Sequence, residues 1–125
     1  MNKNILLDSD VIIWLLRDKN EIVEKFRTVI LNNTLFVTPV TVAEIFSGAR
    51  KDELRKIHEF FELVRVVEIN FEIGKLAGEF IQQFSRSHSV EIADALIAAS
   101  SKYYELKLWT LNTKHYPMLN KTSLF

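Results

Sequence analysis

Three acids stand where a soluble chain has little reason to leave a charge: Asp8, Glu44 and Asp94. Asp8 follows Ile5-Leu6-Leu7 and precedes Ser9-Asp10, after which a second apolar run, Val11 to Leu16, begins. An apolar triplet ending on a carboxylate reads as a buried parallel strand with an acid on its C-terminal tip. That is the edge of an open α/β sheet where ligands bind. Asp94 lies inside Ile92-Ala93-Asp94-Ala95-Leu96-Ile97-Ala98-Ala99, a run apolar on every face of a helix. Asp is a poor residue inside a helix, and burying a carboxylate without a partner is costly, so a metal or a buried cation is its natural companion. Glu44 is flanked by Val42, Ala43, Ile45 and Phe46, which directs its side chain toward a largely buried region. Asn112 follows Trp109-Thr110-Leu111 at another strand tip, where it is a weaker member of the set. Dispersed acids with no nucleophile beside them point to a metal site.

Each residue also has a plainer role. Asp8 could cap the helix that follows it, although Ser9 and Asp10 could do the same. Thr41-Val42-Ala43-Glu44 reads as a capping box, with Glu44 reaching back to the backbone of Thr41. Ser89 could cap the helix of Asp94, placing Asp94 in the second turn, past the best position for the helix dipole. Glu91 is an accessory ligand or a first-turn acid. Asn112 is a standard N-cap and equally an oxygen ligand or a group that orients water. The chain has no Cys, and His58, His88 and His115 form no HxxxH or HxH pair. Any ion is therefore expected to be hard and oxygen-bound, Mg²⁺ or Mn²⁺.

The elements that must position these groups follow from apolar periodicity. Strands are expected at 4–8, 35–37, 64–69 and 106–111. Helices are expected at 9–17, 20–31, 41–50, 52–63, 71–84 and 90–104, with a polar loop at 85–89 and a short helix or turn opening at Asn112. Strands alternating with helices predict a three-layer α/β/α sandwich around a mainly parallel sheet of four to five strands. Right-handed crossovers then bring the strand tips to one rim. Only three Gly and two Pro occur, and no linker divides the chain, so residues 1–125 read as one domain.

The 48% apolar and 26% charged fractions are those of an ordinary globular protein, and 16 basic residues balance 16 acidic ones. Net charge gives no pull toward nucleic acid, so such contacts need a local basic patch. No segment approaches the ~20 apolar residues of a membrane span, and the first apolar stretch is broken at Asp8. A soluble, cytoplasmic protein with no membrane partner is expected.

Four segments, taken in order, resemble the PIN-domain ribonucleases, particularly the VapC-type toxins of toxin–antitoxin pairs. They are Leu6-Leu7-Asp8-Ser9-Asp10-Val11-Ile12, Thr38 to Gly48, Ile92 to Ala99, and Trp109 to Tyr116, and the resemblance spans essentially the whole chain. It implies that Asp8, Glu44 and Asp94 are the metal-binding carboxylates and that Asn112 fills the fourth acidic position. His115 falls where many members carry an Asp before an aromatic. Asn and His in place of two carboxylates lower the site's negative charge, and Asp10 can restore one. The implied activity is Mg²⁺- or Mn²⁺-dependent endoribonuclease cleavage, with RNA as substrate and an antitoxin as partner. Asp8 and Asp94 then hold the main ion. Glu44 binds a second ion or orients the attacking water, and Asn112 positions water or phosphate. Arg17, Arg50, Lys51, Arg86 and Lys114 are candidates for contact with the RNA backbone.

Two rivals remain open at this point. Leu7-Asp8-Ser9-Asp10-Val11 also resembles the strand tip of haloacid-dehalogenase-type phosphatases, with Asp8 as nucleophile and Thr38 in a supporting place, although the catalytic Lys and later acidic pair of that plan are not evident. The other is a non-catalytic PIN-like binding module. A homodimer or larger homo-oligomer is expected as well. Phe60, Phe61, Phe71, Phe80 and Phe84 offer more aromatic surface than one face of a small sheet covers, and Gly74 and Gly78 would let another helix approach closely.

Overall fold

A computed structural model describes residues 3–125. Its centre is a four-stranded sheet of β1 (Lys3–Leu7), β2 (Asn33–Val37), β3 (Arg65–Val66) and β4 (Lys107–Trp109). The order is β3-β2-β1-β4, and every neighbouring pair is parallel. Six helices connect and cover it: α1 (Ser9–Leu16), α2 (Asn20–Asn32), α3 (Pro39–Ser47), α4 (Leu54–Phe61), α5 (Phe71–His88) and α6 (Ile92–Tyr103). Short 3-10 turns lie at Lys51–Glu53, Thr113–His115 and Lys121–Ser123.

The two-residue period of a strand sorts the core into two layers. Ile5 and Leu7 of β1, Leu35 and Val37 of β2 and Trp109 of β4 face one side, where they meet Val11, Ile12, Phe26 and Phe60. Leu6 and Leu108 face the other, against Ile73, Ala77 and Phe80 of α5 and Ala95, Ala98 and Ala99 of α6. The small residues of α6 let it lie close to the sheet and to α5. The result is the expected α/β/α sandwich.

β1 leads through α1 and α2 to β2 on one side of itself, while β4 arrives on its other side. The order in which strands are added therefore reverses between β1 and β4, with all four strands still parallel. The crevice beyond the C-terminal ends at such a reversal is where open α/β sheets bind ligands.

Several boundaries differ from expectation, each for a physical reason. β3 is two residues rather than the expected 64–69, with Arg65 and Val66 both exposed, as suits an edge strand. β4 covers 107–109 rather than 106–111. α3 begins at Pro39 rather than Thr41: Thr38 caps it by accepting a hydrogen bond from Thr41 N at 3.2 Å, and Pro39 fits the first turn because its missing N–H would go unused there. The capping box Thr41–Glu44 does not form. α5 continues through 85–88, where a loop was expected, and ends on Ser89 in the left-handed conformation (φ 49°). Ser89 thus closes α5 instead of opening α6, whose N-cap residue is Glu91. The expected helix 52–63 is a 3-10 turn followed by the shorter α4. Among the described residues, no helix is long and apolar enough to cross a membrane.

Candidate functional site

Asp8 sits just past β1, and its own N–H donates to Trp109 O at 3.0 Å, carrying the β1–β4 ladder one residue beyond β1. The side chain is buried, and both oxygens are engaged. Oδ1 accepts from Ser9 N at 2.8 Å, so Asp8 is the N-cap of α1. Oδ2 accepts from Thr110 Oγ1 at 2.9 Å and from the Tyr116 hydroxyl at 2.8 Å. The cap and the candidate ligand are thus the same residue, since three donors leave one of the carboxylate's roughly four acceptor sites free, on Oδ1.

Asp94 reaches the same crevice from α6. Its Oδ1 lies 3.4 Å from the Tyr116 hydroxyl, and its Oδ2 lies 3.5 Å from His115 Nδ1. With Glu91 at the N-cap, Asp94 stands in the first turn of α6, not the second, where the helix dipole favours a negative charge. The start of α6 is also less enclosed than its composition implied, for Ile92 is 68% exposed. Burial and the charge of Asp8 raise the Asp94 pKa, and His115 and the Tyr116 hydroxyl act against them.

Glu44 lies on the second turn of α3 at the surface, not in a buried region as its neighbours suggested. Its carboxyl is nevertheless coupled to the site. Desolvation and the charge of Asp8 raise its pKa, a hydrogen bond with Ser9 lowers it, and Asp94 and Glu91 raise it further. Asp10 is held by the backbone: Oδ1 accepts from Val11 N at 2.7 Å, and Oδ2 accepts from Leu111 N at 3.1 Å. Burial and Asp8 again raise its pKa.

Asn112 is half-buried beyond β4, and its Nδ2 lies 3.0 Å from His115 Nε2. With the amide donating, a neutral imidazole carries its proton on Nδ1, the nitrogen that faces Asp94. Asn112 caps nothing through its side chain. Its contact is with the histidine that touches the carboxylate. Thr110 and Tyr116 were not among the residues singled out from the sequence, yet they supply both hydroxyls on Asp8. Their only local signal was a polar atom in an otherwise apolar setting. Among the basic candidates, Lys114 shares the 113–115 turn with His115, Arg86 lies in the last turn of α5 and Lys51 opens the 51–53 turn. Arg50 pairs with Glu53 at 3.9 Å. Arg17 lines a depression of about 90 Å³ together with Glu44, over Ile13, Ile45 and Ile57. A cleft of about 100 Å³ opens on the other flank, lined by Asp94, Glu91, His88 and His115.

The PIN domain family model matches residues 5–118. The chain belongs to the PIN-domain family. It is 32% identical over 118 residues to Ribonuclease VapC10 of Mycobacterium tuberculosis, covering 94% of this chain and 89% of that protein, which places it among the VapC ribonucleases. Its fold superposes on VapBC2 from Rickettsia felis, solved bound to a DNA fragment from its promoter, with a TM-score of 0.81 at 16% identity, covering 98% and 96% of the two chains. FitAcB from Neisseria gonorrhoeae gives a TM-score of 0.70 at 28% identity, covering 90% of each. The resemblance read from the four segments is borne out. The phosphatase reading gives way to it, and the Thr38 hydroxyl that reading needed is engaged in capping α3.

PIN-domain enzymes of this kind work with a divalent cation, so the residues present must be tested for fit. Among the described residues, no three His, Cys, Asp or Glu side chains stand together so that they could hold a metal ion between them. What the crevice offers is an open pair of carboxylates, Asp8 and Asp94, with Asp10 and Glu44 as coupled neighbours. A hard cation that keeps several waters and takes one or two carboxylates plus substrate phosphate needs no more than that. Unfavourable charge among Asp8, Asp10, Glu44 and Asp94, offset in part by His115 at Asp94 and by hydrogen bonds from their neighbours, adds a reason for a cation. The donor set fits.

Proposed function

We propose that this PIN domain is the endoribonuclease toxin of a toxin–antitoxin pair, cleaving RNA phosphodiester bonds with Mg²⁺ or Mn²⁺ held by Asp8 and Asp94. The observation that carries this reading is the meeting of Asp8 from the end of β1 and Asp94 from α6 at one hydroxyl, in the crevice where the strand order reverses. When bound, such an ion neutralises phosphate charge and acidifies a water. Glu44, at the surface beside Asp8 and Asp94 and with a pKa raised by burial and by the charge of Asp8, orients the attacking water and takes its proton. The water oxygen bonds to phosphorus, and one phosphorus–oxygen ester bond breaks to leave two RNA ends. Asn112 steadies His115 against Asp94, and Arg17 and Lys114 flank the crevice to receive RNA backbone. The cognate partner is an antitoxin that covers this crevice, and the working compartment is the cytoplasm. A homodimer is proposed on narrower grounds than the aromatic count suggested. Phe60 and Phe80 fill the core, Phe61 and Phe84 are half-buried, and only Phe71 of the five is fully presented, at 79% exposure.

The test is incubation of the purified, partner-free chain with total RNA and Mg²⁺ or Mn²⁺, followed by mapping of new ends. Metal-dependent cleavage that is lost in chelator is expected, and Asp94→Asn should reduce it by more than the roughly 10- to 100-fold that losing an outer partner of a metal ligand costs. Asp94→Asn keeps the side-chain shape, so its fold should survive. RNA left intact by wild type, with the cation bound, would indicate a non-catalytic module. Turnover of p-nitrophenyl phosphate without RNA cleavage would revive the phosphatase reading.

A further inference from the structure

Tyr116 is 1% exposed, and its ring packs in the layer formed by α5 and α6. Its hydroxyl breaks that apolar setting at one point only, between Asp8 and Asp94. The oxygen is 2.8 Å from Asp8 Oδ2 and 3.4 Å from Asp94 Oδ1. We infer that Tyr116 is a positioning residue for the metal-binding carboxylates, a phenol that fixes the orientation of Asp8 beside Asp94. The inference rests on the proposed reading of those two acids as cation ligands.

Three features of the geometry support it. A phenol has one proton to donate, and the shorter contact assigns it to Asp8. Asp94 Oδ1 is therefore left close by with a free lone pair, as a ligand requires. Thr110 donates to the same Asp8 oxygen at 2.9 Å, so the carboxylate is gripped from two directions while Ser9 N holds the other oxygen. Its plane has no freedom to rotate, and such outer partners orient metal-bound carboxylates and set their affinity. The ring is held by packing on all sides, so its oxygen is a fixed reference point. In the structure Asp8 Oδ2 and Asp94 Oδ1 flank that point, no farther apart than the sum of their two distances to it. A phenylalanine would fill the same space, so packing alone gives no reason for the hydroxyl.

The deciding experiment compares Mn²⁺ binding by wild type and Tyr116→Phe in isothermal titration calorimetry, with melting in chelator as a fold control. The variant should melt as a folded protein yet bind Mn²⁺ about 10- to 100-fold more weakly, the usual loss for an outer partner. A merely structural hydroxyl would lower the chelator melting temperature and leave affinity unchanged, and that outcome overturns the inference. Should Tyr116→Phe fail to fold, wild type labelled with ¹³C at the tyrosine phenol carbon answers the question. The Tyr116 resonance should move on Mg²⁺ addition while Tyr103 and Tyr104 stay in place, and a stationary Tyr116 overturns the inference. Wild type that binds no cation sinks the metal reading as a whole. Equal affinities in wild type and variant sink only the role of Tyr116.

Discussion

The Thr110 hydroxyl donates to Asp8 Oδ2 at 2.9 Å, tying the tip of β4 to the tip of β1 across the crevice. Thr110 Oγ1 in turn accepts from Asn112 N at 3.1 Å, so one buried side chain orients the candidate ligand and shapes the turn that carries Asn112 and His115. Thr110→Val keeps the shape and removes both interactions. A hydrogen bond to a charged group contributes about 1.5–3 kcal/mol, so the variant should melt several degrees lower and cleave RNA more slowly. Thr110→Ser should restore most of both. Thermal melts and initial rates of the two variants check this, and equal behaviour of Val and Ser would show that the hydroxyl is idle.

Asn112→Asp should cleave RNA at or above the wild-type rate, with the larger gain in Mn²⁺. The amide lies 3.0 Å from His115 Nε2, and a carboxylate in its place would still hold the ring by accepting from a protonated imidazole. It would also return a negative charge to a site that has Asn and His where the family's fuller pattern has acids. Rates in each metal decide the matter. Complete loss of activity in a folded variant would mean that the amide itself is needed, through the tautomer it imposes on His115.

Asp8 and Asp94 were legible from the sequence because each is a charge set into an apolar run, and tertiary structure answers such a charge with a partner. Glu44 was placed on the right helix, but its surroundings were misjudged. Local sequence could not show that the apolar neighbours Ile45 and Phe46 turn inward while Glu44 stays at the surface. The signal that Thr38 rather than Thr41 opens α3 was Pro39, a residue suited to a first helical turn. Thr110 and Tyr116 left no periodic trace. They lie 102 and 108 residues from Asp8 in sequence, and only the closing of β4 beside β1 brings them to it. The layers followed from alternation of strands and helices, whereas the short edge strand β3 did not, because burial of Val64 and Val67 extends the apolar pattern while only Arg65 and Val66 pair with β2 and the last ladder bond is Val67 N to Val37 O at 2.9 Å.

Gly74 and Gly78 lie on the exposed side of α5, and a Cβ built on either meets nothing within 4 Å. In a monomer, Gly78→Leu should therefore be tolerated and should raise stability by roughly the 0.8–1 kcal/mol that separates Gly from good helix formers. If α5 is the surface through which two copies meet, the same side chain blocks the approach. Light scattering should show a dimer for wild type and a monomer for Gly78→Leu, with Phe71→Ser acting in the same direction. A wild-type monomer at micromolar concentration rejects the homodimer, and a variant that remains dimeric moves the interface away from α5.

The charges of the crevice also make a prediction about stability that needs no substrate. Asp10, Glu44 and Asp94 all have raised pKa values, first from burial and then from the charge of Asp8. A carboxyl whose folded pKa exceeds its unfolded value favours the fold while it is protonated. That contribution is complete below the unfolded pKa, near 4 for these residues, and is lost as pH rises through the higher folded values. In chelator, these three groups should therefore make the protein less stable as pH climbs from about 4 toward neutrality. Cation binding to the native state opposes the loss, adding about 2.7 kcal/mol at a hundredfold excess over Kd, enough to raise the melting temperature by several degrees. Asp94→Asn removes one charge but keeps an oxygen for Tyr116. At neutral pH it should melt higher than wild type in chelator and respond less to Mg²⁺ or Mn²⁺. Melting curves across pH, with and without cation, test this directly. A wild type indifferent to cation, together with an Asp94→Asn variant that melts lower in chelator, would mean that the repulsion inferred at this site does not govern its stability.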